Sequence, residues 1–589
     1  MRDELLDQGT PGREEIAPPA YLQQVRAITA PPQAVVDRLI LQLGGTPIAD
    51  SGRLLGPPNR TSAPGADQPG GAADGASAIA LPPLPEGVAG PWLLGQVHEA
   101  LLDGDQRTAR GAWFTPPSLA RRLIAAAGVT APQRVLDPAC GGGVFLLAAH
   151  DAFADAHLAG RDIDSLAAEV TRAALGLAGA PDVEVLHADG LAAIDGQYDL
   201  VVGNPPFLSQ LRGATARDEG RRQMVLARFG TAAAGYVDEA GLFLLATATD
   251  SLAPGGVAVL IVPEALLATA AAAGLRREIS RHCTVEVVWR DRERIFPQTP
   301  TCAVRLVRRA AVAQTEAAHT AVCRHEDAKA PEGDTPGEAA GSSEAAGEWA
   351  QLLAEGVPRV PLRAGWRTVG AIATATADFR DAYYLLAEHV REATVEADTM
   401  QEGQRIVTVG LIDPAHLRWG QTTMRFGKRT WRRPVAVGLP RSFLERRLGP
   451  KVLLATQSPV LEALVDADGD LLPSTPVITI RSDHLWHVGA ALTSPVPTAI
   501  AARRHAGAAR SRHGLKLSAR QVLELPLPPG PSPAWDDAAT AYRQGHAVED
   551  PDRRLALLTR CGVAMMRAYG IHDGGLVSWW CQRLATRMR

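Results

Sequence analysis

Asn204-Pro205-Pro206-Phe207 stands directly after a short apolar run, Leu200 to Val202, and a glycine, Gly203. Consecutive prolines fix φ at two positions and remove two amide donors. What remains is a set of acceptors: the proline carbonyls and the side-chain oxygen of Asn204. Phe207 adds an aromatic face at the far end of the loop. Oxygens that hold N–H groups, beside a ring that stacks, suit a planar base carrying an exocyclic amine. Taken alone, the four residues read equally well as a turn that ends a strand and buries a phenylalanine.

Acids recur in the same context. Val135-Leu136-Asp137 is an apolar run ended by a carboxylate, and Gly141-Gly142-Gly143 then leads into an apolar helix from Val144. Glycines at such a turn let a ligand approach the backbone at a helix N-terminus. The dinucleotide spacing GxGxxG is absent, and an acid before the glycines suits a cationic group better than a pyrophosphate. An S-adenosylmethionine ammonium fits. His157 to Asp164 is a second strand ending in acids, roughly 20 residues after the glycines, where a doubly wound fold keeps its ribose-hydroxyl acceptor. Asp162 is the first candidate there and Asp164 the second. A third strand, from Asp182, ends at Asp189, which is placed to accept from an adenine amine. Upstream, Thr115-Pro116-Pro117-Ser118 predicts a helix start, with Thr115 or Ser118 as cap and the prolines in the first turn.

These residues need a common scaffold. Asp137, Asp162, Asp189 and Asn204 each follow an apolar run. An apolar helix over 242–252, a strand over 255–263 and a terminal strand pair, 285–289 with 303–307, complete the pattern. Strands alternating with helices predict an α/β fold on a parallel sheet, with ligands at the strands' carboxyl ends.

A chain of 589 residues divides into two to four domains. Its hydrophobic fraction of 46% suits a soluble protein with a sizeable core. No apolar run approaches the roughly 20 residues that span a bilayer. The acidic start Met1-Arg2-Asp3-Glu4 lacks an apolar signal core, so a cytoplasmic protein is expected. The six cysteines are scattered without a CxxC pair, which argues against a zinc site or a disulfide framework, and no metal is expected. Residues 1–90 read as an N-terminal extension: one or two helices over 16–46, then a Gly/Pro/Ala/Ser-rich linker over 47–90. Helical spacing from Trp92 to Leu102 opens a domain over 91–309. A second linker, rich in Ala, Glu, Gly and Ser, covers 310–356. Residues 357–530 form a further mixed α/β unit, and 531–589 a helical segment.

The net charge of −4 does not announce a nucleic-acid binder, but the charge is uneven. Between Arg418 and Arg447 nine basic residues face one acid, with Trp419, Phe426 and Trp431 interleaved. From Arg503 to Arg520 there are six basic residues and no acid. Such density marks candidate phosphate contacts, foremost Arg425, Lys428, Arg429, Arg432, Arg433, Arg503 and Arg504. A charge run by itself is also an ordinary solvated face.

From about Leu94 to Val307 the chain resembles the gamma class of amino-group DNA methyltransferases, which make N6-methyladenine. The resemblance covers a little over a third of the sequence. It rests on motif order: Gly111-Ala-Trp-Phe-Thr115-Pro116, then Asp137-Pro-Ala139-Cys-Gly141-Gly-Gly143, then two acidic strand ends, then Asn204–Phe207. It implies a Rossmann-like S-adenosylmethionine-dependent methyltransferase sheet followed by a target-recognition domain. Cofactor contacts carry over to Thr115, Asp137, Ala139, Gly141, Gly143, Asp162, Ile163 and Asp189, and catalysis to Asn204, Pro205, Pro206 and Phe207. Arg161-Asp-Ile-Asp-Ser replaces a more usual E-I-D-P pattern, which leaves the ribose contact between Asp162 and Asp164. The implied partners are double-stranded DNA, with its target adenine flipped out onto Phe207, and a separate restriction endonuclease or other defence-system subunit.

Two other readings stand beside this one. NPPF-type enzymes also modify RNA bases or a protein glutamine, although those relatives are usually compact and lack so large a C-terminal part. A catalytically silent DNA-binding defence subunit is the third. No nuclease is expected: Asp3, Glu4, Glu14 and Glu15 lie in polar segments without the strand context that aims carboxylates at a metal.

Overall fold

The computed structural model describes residues 17–46, 79–102, 113–208, 219–310, 322–323, 348–393 and 403–588, apart from 86, 89, 195, 234–236, 298, 378–379, 428 and 509–513. Two compact units emerge, one of residues 1–266 and 270–352, the other of 267–269 and 353–589.

The first unit is built on one sheet. Four helices precede or join it: α1 (Pro19–Arg26), α2 (Pro32–Gln42), α3 (Gly90–Leu101) and α4 (Pro117–Ala127). Then come β1 (Arg134–Asp137), α5 (Val144–Ala152), β2 (His157–Asp162), α6 (Ser165–Ala178), β3 (Val183–His187) and β4 (Tyr198–Gly203). After them follow α7 (Glu219–Phe229), α8 (Glu239–Ala246), β5 (Leu252–Pro263), α9 (Ala273–His282), β6 (Cys283–Arg290), β7 (Thr301–Arg308) and the short β8 (Val322–Cys323). The strand order is β3-β2-β1-β4-β5-β7-β6-β8. Chain order runs outward from β1 in one direction to β3, then restarts on its other side with β4. The crevice at β1 and β4 is therefore the topological switch point where open α/β sheets hold ligands.

The sheet is mixed rather than all parallel. β7 runs antiparallel to both β5 and β6. The expected pair is present, but only ten residues, 291–300, join its strands. A parallel return needs a longer crossover, so the chain folds straight back, and β7 inserts between β5 and β6.

The core holds more of the N-terminal part than composition suggested. Val25, Val35, Val36, Leu39 and Ile40 of α1 and α2 are buried in the same cluster as Val135, Leu158 and Val259 of the sheet. Leu81, Leu84 and Val88, within the stretch read as linker, also pack against that cluster. Residues 47–78 and the acids Asp3, Glu4, Glu14 and Glu15 lie outside the described residues. Within the stretch read as the second linker, Trp349 is buried and its indole donates to Ser280 Oγ at 3.1 Å.

The second unit carries two four-stranded sheets. Thr374–Ala377, Ile478–Arg481, Lys451–Ala455 and Glu462–Asp466 form one, all antiparallel. Lys451 and Asp466 face each other across it, and the buried ammonium donates to the carboxylate at 2.6 Å. Val390–Glu392, Pro434–Ala436, Gln404–Val407 and Leu472–Pro473 form the other. The C-terminal helices Pro533–His546, Pro551–Ala568 and Gly574–Met588 share one core with the first sheet. Tyr542, fully buried, donates its hydroxyl to the Ala463 carbonyl at 2.6 Å. Among the described residues no helix is long and apolar enough to cross a membrane.

Candidate functional site

A cavity of about 380 Å³ opens at the carboxyl ends of β1 to β4, within the size range of small-molecule sites. Its lining includes Thr115, Asp137, Ala139, Gly141, Asp162, Ile163, Asp189, Asn204 and Pro206. Residues far apart in the chain thus meet at one place. Gly143, Pro205 and Phe207 are not among the lining residues. Gly143 is instead the N-cap of α5, and Pro205 is buried in the loop. The Phe207 ring, half-buried, sits edge-on to Phe296 with centroids 6.0 Å apart.

The glycine turn is tied to the end of β2. The Gly141 amide donates to Asp162 Oδ2 at 2.8 Å, and Thr171 Oγ1 donates to the Gly141 carbonyl. Gly141 has φ +51°, and a Cβ built there would meet no protein atom within 4 Å. The space in front of it is open to a ligand. Gly142 does a different job: Gly95 of α3 packs on it so closely that a Cβ on Gly95 would come within 2.6 Å of the Gly142 carbonyl oxygen. The sequence signal for that contact is an isolated glycine inside the apolar pattern of α3. Trp92, Gln96, His98 and Glu99 bring the same helix to the cavity wall.

Each acid has its own setting. Asp137 is buried, and its Oδ1 accepts from the Ala139 amide at 3.0 Å. Burial pushes its carboxyl up to about 8, opposed by that amide and aided by the nearby Asp162. A cationic group placed beside it would restore the ionised form. Asp162 Oδ1 accepts from the Asp164 amide at 2.8 Å, while Asp164 caps α6 by accepting from Leu166. Asp162 is thus bound into the glycine turn, and Asp164 starts a helix. Between them Ile163 is 71% exposed and lines the cavity, an apolar surface beside polar neighbours. Asp189 accepts from the Leu191 amide and is paired with Arg221 of α7, a partner that sequence reasoning missed.

Asn204 carries the clearest chemical signature. Its amide nitrogen donates to the Trp113 carbonyl and to Thr115 Oγ1, both at 3.1 Å. Its Oδ1 is buried and has no hydrogen-bond partner. A buried acceptor without a donor costs about 1–3 kcal/mol, so this oxygen is held ready for an N–H group. Ser118 or Thr115 was expected to cap α4; the N-cap is Pro116, without a side-chain bond, and the buried Thr115 hydroxyl is turned to Asn204. Gly111 lies outside the described residues.

Residues 91–318 match the model of the N-6 DNA Methylase family. The match covers less than half of the chain. Over 119 residues the chain is 34% identical to the Type II methyltransferase M.XamI of Xanthomonas campestris pv. amaranthicola, covering 18% of this chain and 21% of that one. It is also 34% identical over 131 residues to the release factor glutamine methyltransferase of Deinococcus radiodurans, covering 22% of this chain and 44% of the relative. The chain therefore spans less than half the length of either curated relative. A type I restriction-modification methyltransferase subunit from Streptococcus thermophilus aligns with a TM-score of 0.30 at 18% identity, over 40% of this chain and 53% of that chain.

The cofactor of this methyltransferase fold is S-adenosylmethionine, and the residues present fit it. Asp137 offers a buried carboxyl for an ammonium, Asp162 a carboxylate at the glycine turn, Ile163 an exposed apolar surface, and Gly141 an unfilled approach. Among the described residues no cluster of His, Cys, Asp and Glu is arranged to hold a metal ion.

The basic residues of the second unit are scattered in role. Arg425 and Arg429 are exposed on the hairpin Met424–Phe426/Arg429–Trp431. Arg432, also exposed, donates Nε to the Gly420 carbonyl at 2.9 Å, and the backbone amides of Arg432 and Arg433 donate to Glu392. Arg503 donates to the Val357 carbonyl at 2.8 Å. Arg504 is half-buried beside His505, whose imidazole is pushed down to about 4 by burial and by this neighbouring charge. Lys428 lies outside the described residues.

Proposed function

We propose that this chain methylates the N6 amine of adenine in duplex DNA, as a gamma-class enzyme. The observation that carries the reading is Asn204: an amide fixed at its nitrogen, with a bare buried oxygen at the mouth of the crevice between β1 and β4. An exocyclic amine is a poor nucleophile because its lone pair is delocalised into the ring. Asn204 Oδ1 and the Pro205 carbonyl accept its two N–H bonds, draw the nitrogen towards tetrahedral geometry and stabilise the positive charge that grows on it. Because Thr115 and Trp113 already hold the amide, little reorganisation remains for the reacting state. Asp137, Asp162, Ile163 and Asp189 hold S-adenosylmethionine, which supplies an electrophilic methyl group on a sulfonium. The base is flipped out of the helix and stacks on Phe207, whose ring Phe296 steadies. The second unit, with Arg425 and Arg429 on its exposed hairpin, reads the DNA. A separate endonuclease or defence subunit is the natural partner of such an enzyme.

The similarity to a glutamine-modifying enzyme keeps a second reading in view. Both substrates present a planar nitrogen to the same acceptor pair. Purified protein incubated with methyl-labelled S-adenosylmethionine and, in parallel, with duplex DNA, tRNA, rRNA and a cell extract separates them. Label in adenine of duplex DNA supports the proposal; label confined to RNA or protein replaces it.

A further inference from the structure

Two carboxylates, Asp189 and Glu239, meet one guanidinium, that of Arg221, at the wall of the cavity. Arg221 lies in the first turn of α7. Its Nη1 pairs with Asp189, beyond the end of β3, and its Nη2 donates to Glu239 at 2.8 Å, the first residue of α8. All three line the same cavity. Glu239 is buried, and this cation compensates its carboxylate. Asp189 Oδ2 pairs with Arg221 Nη1, while Oδ1 accepts from the Leu191 amide at 2.9 Å and from Arg221 Nη2 at 3.5 Å.

The helix that carries Arg221 is weakly rooted. Val225 is its one buried residue, while Met224 and Leu226 are exposed. Arg228 makes a second attachment, donating to Asp250 at 2.6 Å near the surface. A segment with so little apolar burial belongs to the low-stability end of a fold and opens readily. Its position over the cavity therefore depends heavily on what Arg221 grips.

We propose that Arg221 is a positioning residue that clamps the bound cofactor. By joining Asp189 to Glu239 it holds α7 across the adenine end of the cavity, and the cofactor leaves only when this double ion pair opens. The clamp rests on the cofactor reading given above and adds to it a kinetic gate, with Asp189 shared between the ligand and Arg221.

The test uses S-adenosylhomocysteine with the full-length protein, its dissociation followed by stopped-flow fluorescence of Trp92 and Trp113, which line the cavity. Arg221→Gln is expected to raise the off-rate about tenfold, since ligand affinity is tuned mostly through dissociation. Arg221→Lys, which keeps the charge but loses the fork, should fall between. Hydrogen exchange over residues 219–229 supplies the readout that a merely structural role would not move. Ligand should slow exchange there in the wild type and much less in Arg221→Gln. Should Arg221→Gln not fold, the lysine variant carries the comparison alone. Wild-type binding with off-rates within twofold in both variants overturns the clamp and leaves the cofactor site standing. No binding by the wild type overturns the cofactor site, and the clamp with it.

Discussion

The crevice of the first unit and the basic hairpin of the second are both rich in polar residues, yet the sheet constrains them very differently. At the crevice, Asp137 and Asn204 sit where β1 and β4 end, at the switch point of a sheet whose strand order leaves them nowhere else to go. Their partners are groups of the adjoining turn and of the segment that leads into α4: Ala139 for Asp137, and Trp113 and Thr115 for Asn204. On the hairpin, Arg425 and Arg429 stand on strands of three residues and are exposed. Other basic residues of this unit turn to backbone carbonyls, as Arg432 does to Gly420 and Arg503 to Val357. Topology dictates the first set, whereas the second depends on which short loop carries each charge. Changes in the crevice should therefore cost fold or chemistry, and changes on the hairpin only affinity.

The largest effect should separate two adjacent glycines. Gly142→Ala drives a methyl group into the Gly95 backbone of α3, where helix and turn have no flexible side chain to yield. A loss of about 3 kcal/mol is expected from overpacking of this kind. Gly141→Leu should stay folded, at a cost of about 1–2 kcal/mol for its left-handed backbone, and lose cofactor binding instead. Thermal melts and calorimetric titration with S-adenosylhomocysteine distinguish the two. Equal behaviour of both variants would remove the distinction between packing glycine and ligand glycine.

Asp137 gives the next effect, through pH. Its carboxyl is raised to about 8 in the fold by burial, against about 3.9 in an unfolded chain. Stability from this group is full below about pH 4 and is lost as pH rises through 8, because over that window only the folded chain keeps the proton. The ligand-free protein should therefore melt lower at pH 8.5 than at pH 6, and Asp137→Asn should flatten that dependence. A cationic ligand reverses the preference, so cofactor binding at pH 7 should expel up to one proton, measurable by calorimetry in buffers of different ionisation enthalpy. A wild-type melting temperature and a binding enthalpy that ignore pH and buffer would show that Asp137 is not the ammonium's partner.

Thr115→Val tests the positioning of Asn204. Removal of one acceptor from the Asn204 amide should lower the rate of methyl transfer about tenfold, the size of one modest hydrogen bond, with cofactor affinity unchanged. Thr115→Ser should restore the rate. A change in cofactor affinity instead would assign Thr115 to the ligand.

The smallest effect belongs to the hairpin. Neutralising Arg425 and Arg429 together should reduce the slope of log K against log salt for DNA binding by about two units if each meets a phosphate. Cofactor binding and melting temperature should not move. An unchanged slope would make the hairpin a solvated face.

The contrast between crevice and hairpin also explains which features are legible in the sequence. The strand ends at Asp137 and Asn204 stand out because buried parallel strands are apolar runs that a polar residue closes. The glycine turn and the proline loop stand out because both residue types restrict the backbone itself. Arg221 and Glu239 do not, since the pairing of Arg221 with Asp189 and Glu239 joins helices and loops that no periodicity links. The same holds for the packing of Gly95 on Gly142 and for the placement of β7 between β5 and β6. A bare buried oxygen on Asn204 is likewise a property of three-dimensional surroundings, although the residue type and its loop point to it.

The central claim, that Asn204 presents an acceptor to adenine N6 in DNA, is tested most directly in cells without adenine methylation of their own. DNA from cells expressing the wild-type chain or Asn204→Ala, at matched protein levels, is digested to nucleosides and measured for N6-methyladenine by mass spectrometry. The prediction is a clear N6-methyladenine signal with the wild type. With Asn204→Ala it should fall about 100-fold or more, the scale of losing a donor or acceptor made for the transition state. N6-methyladenine at equal levels with both proteins, or with neither, would contradict it.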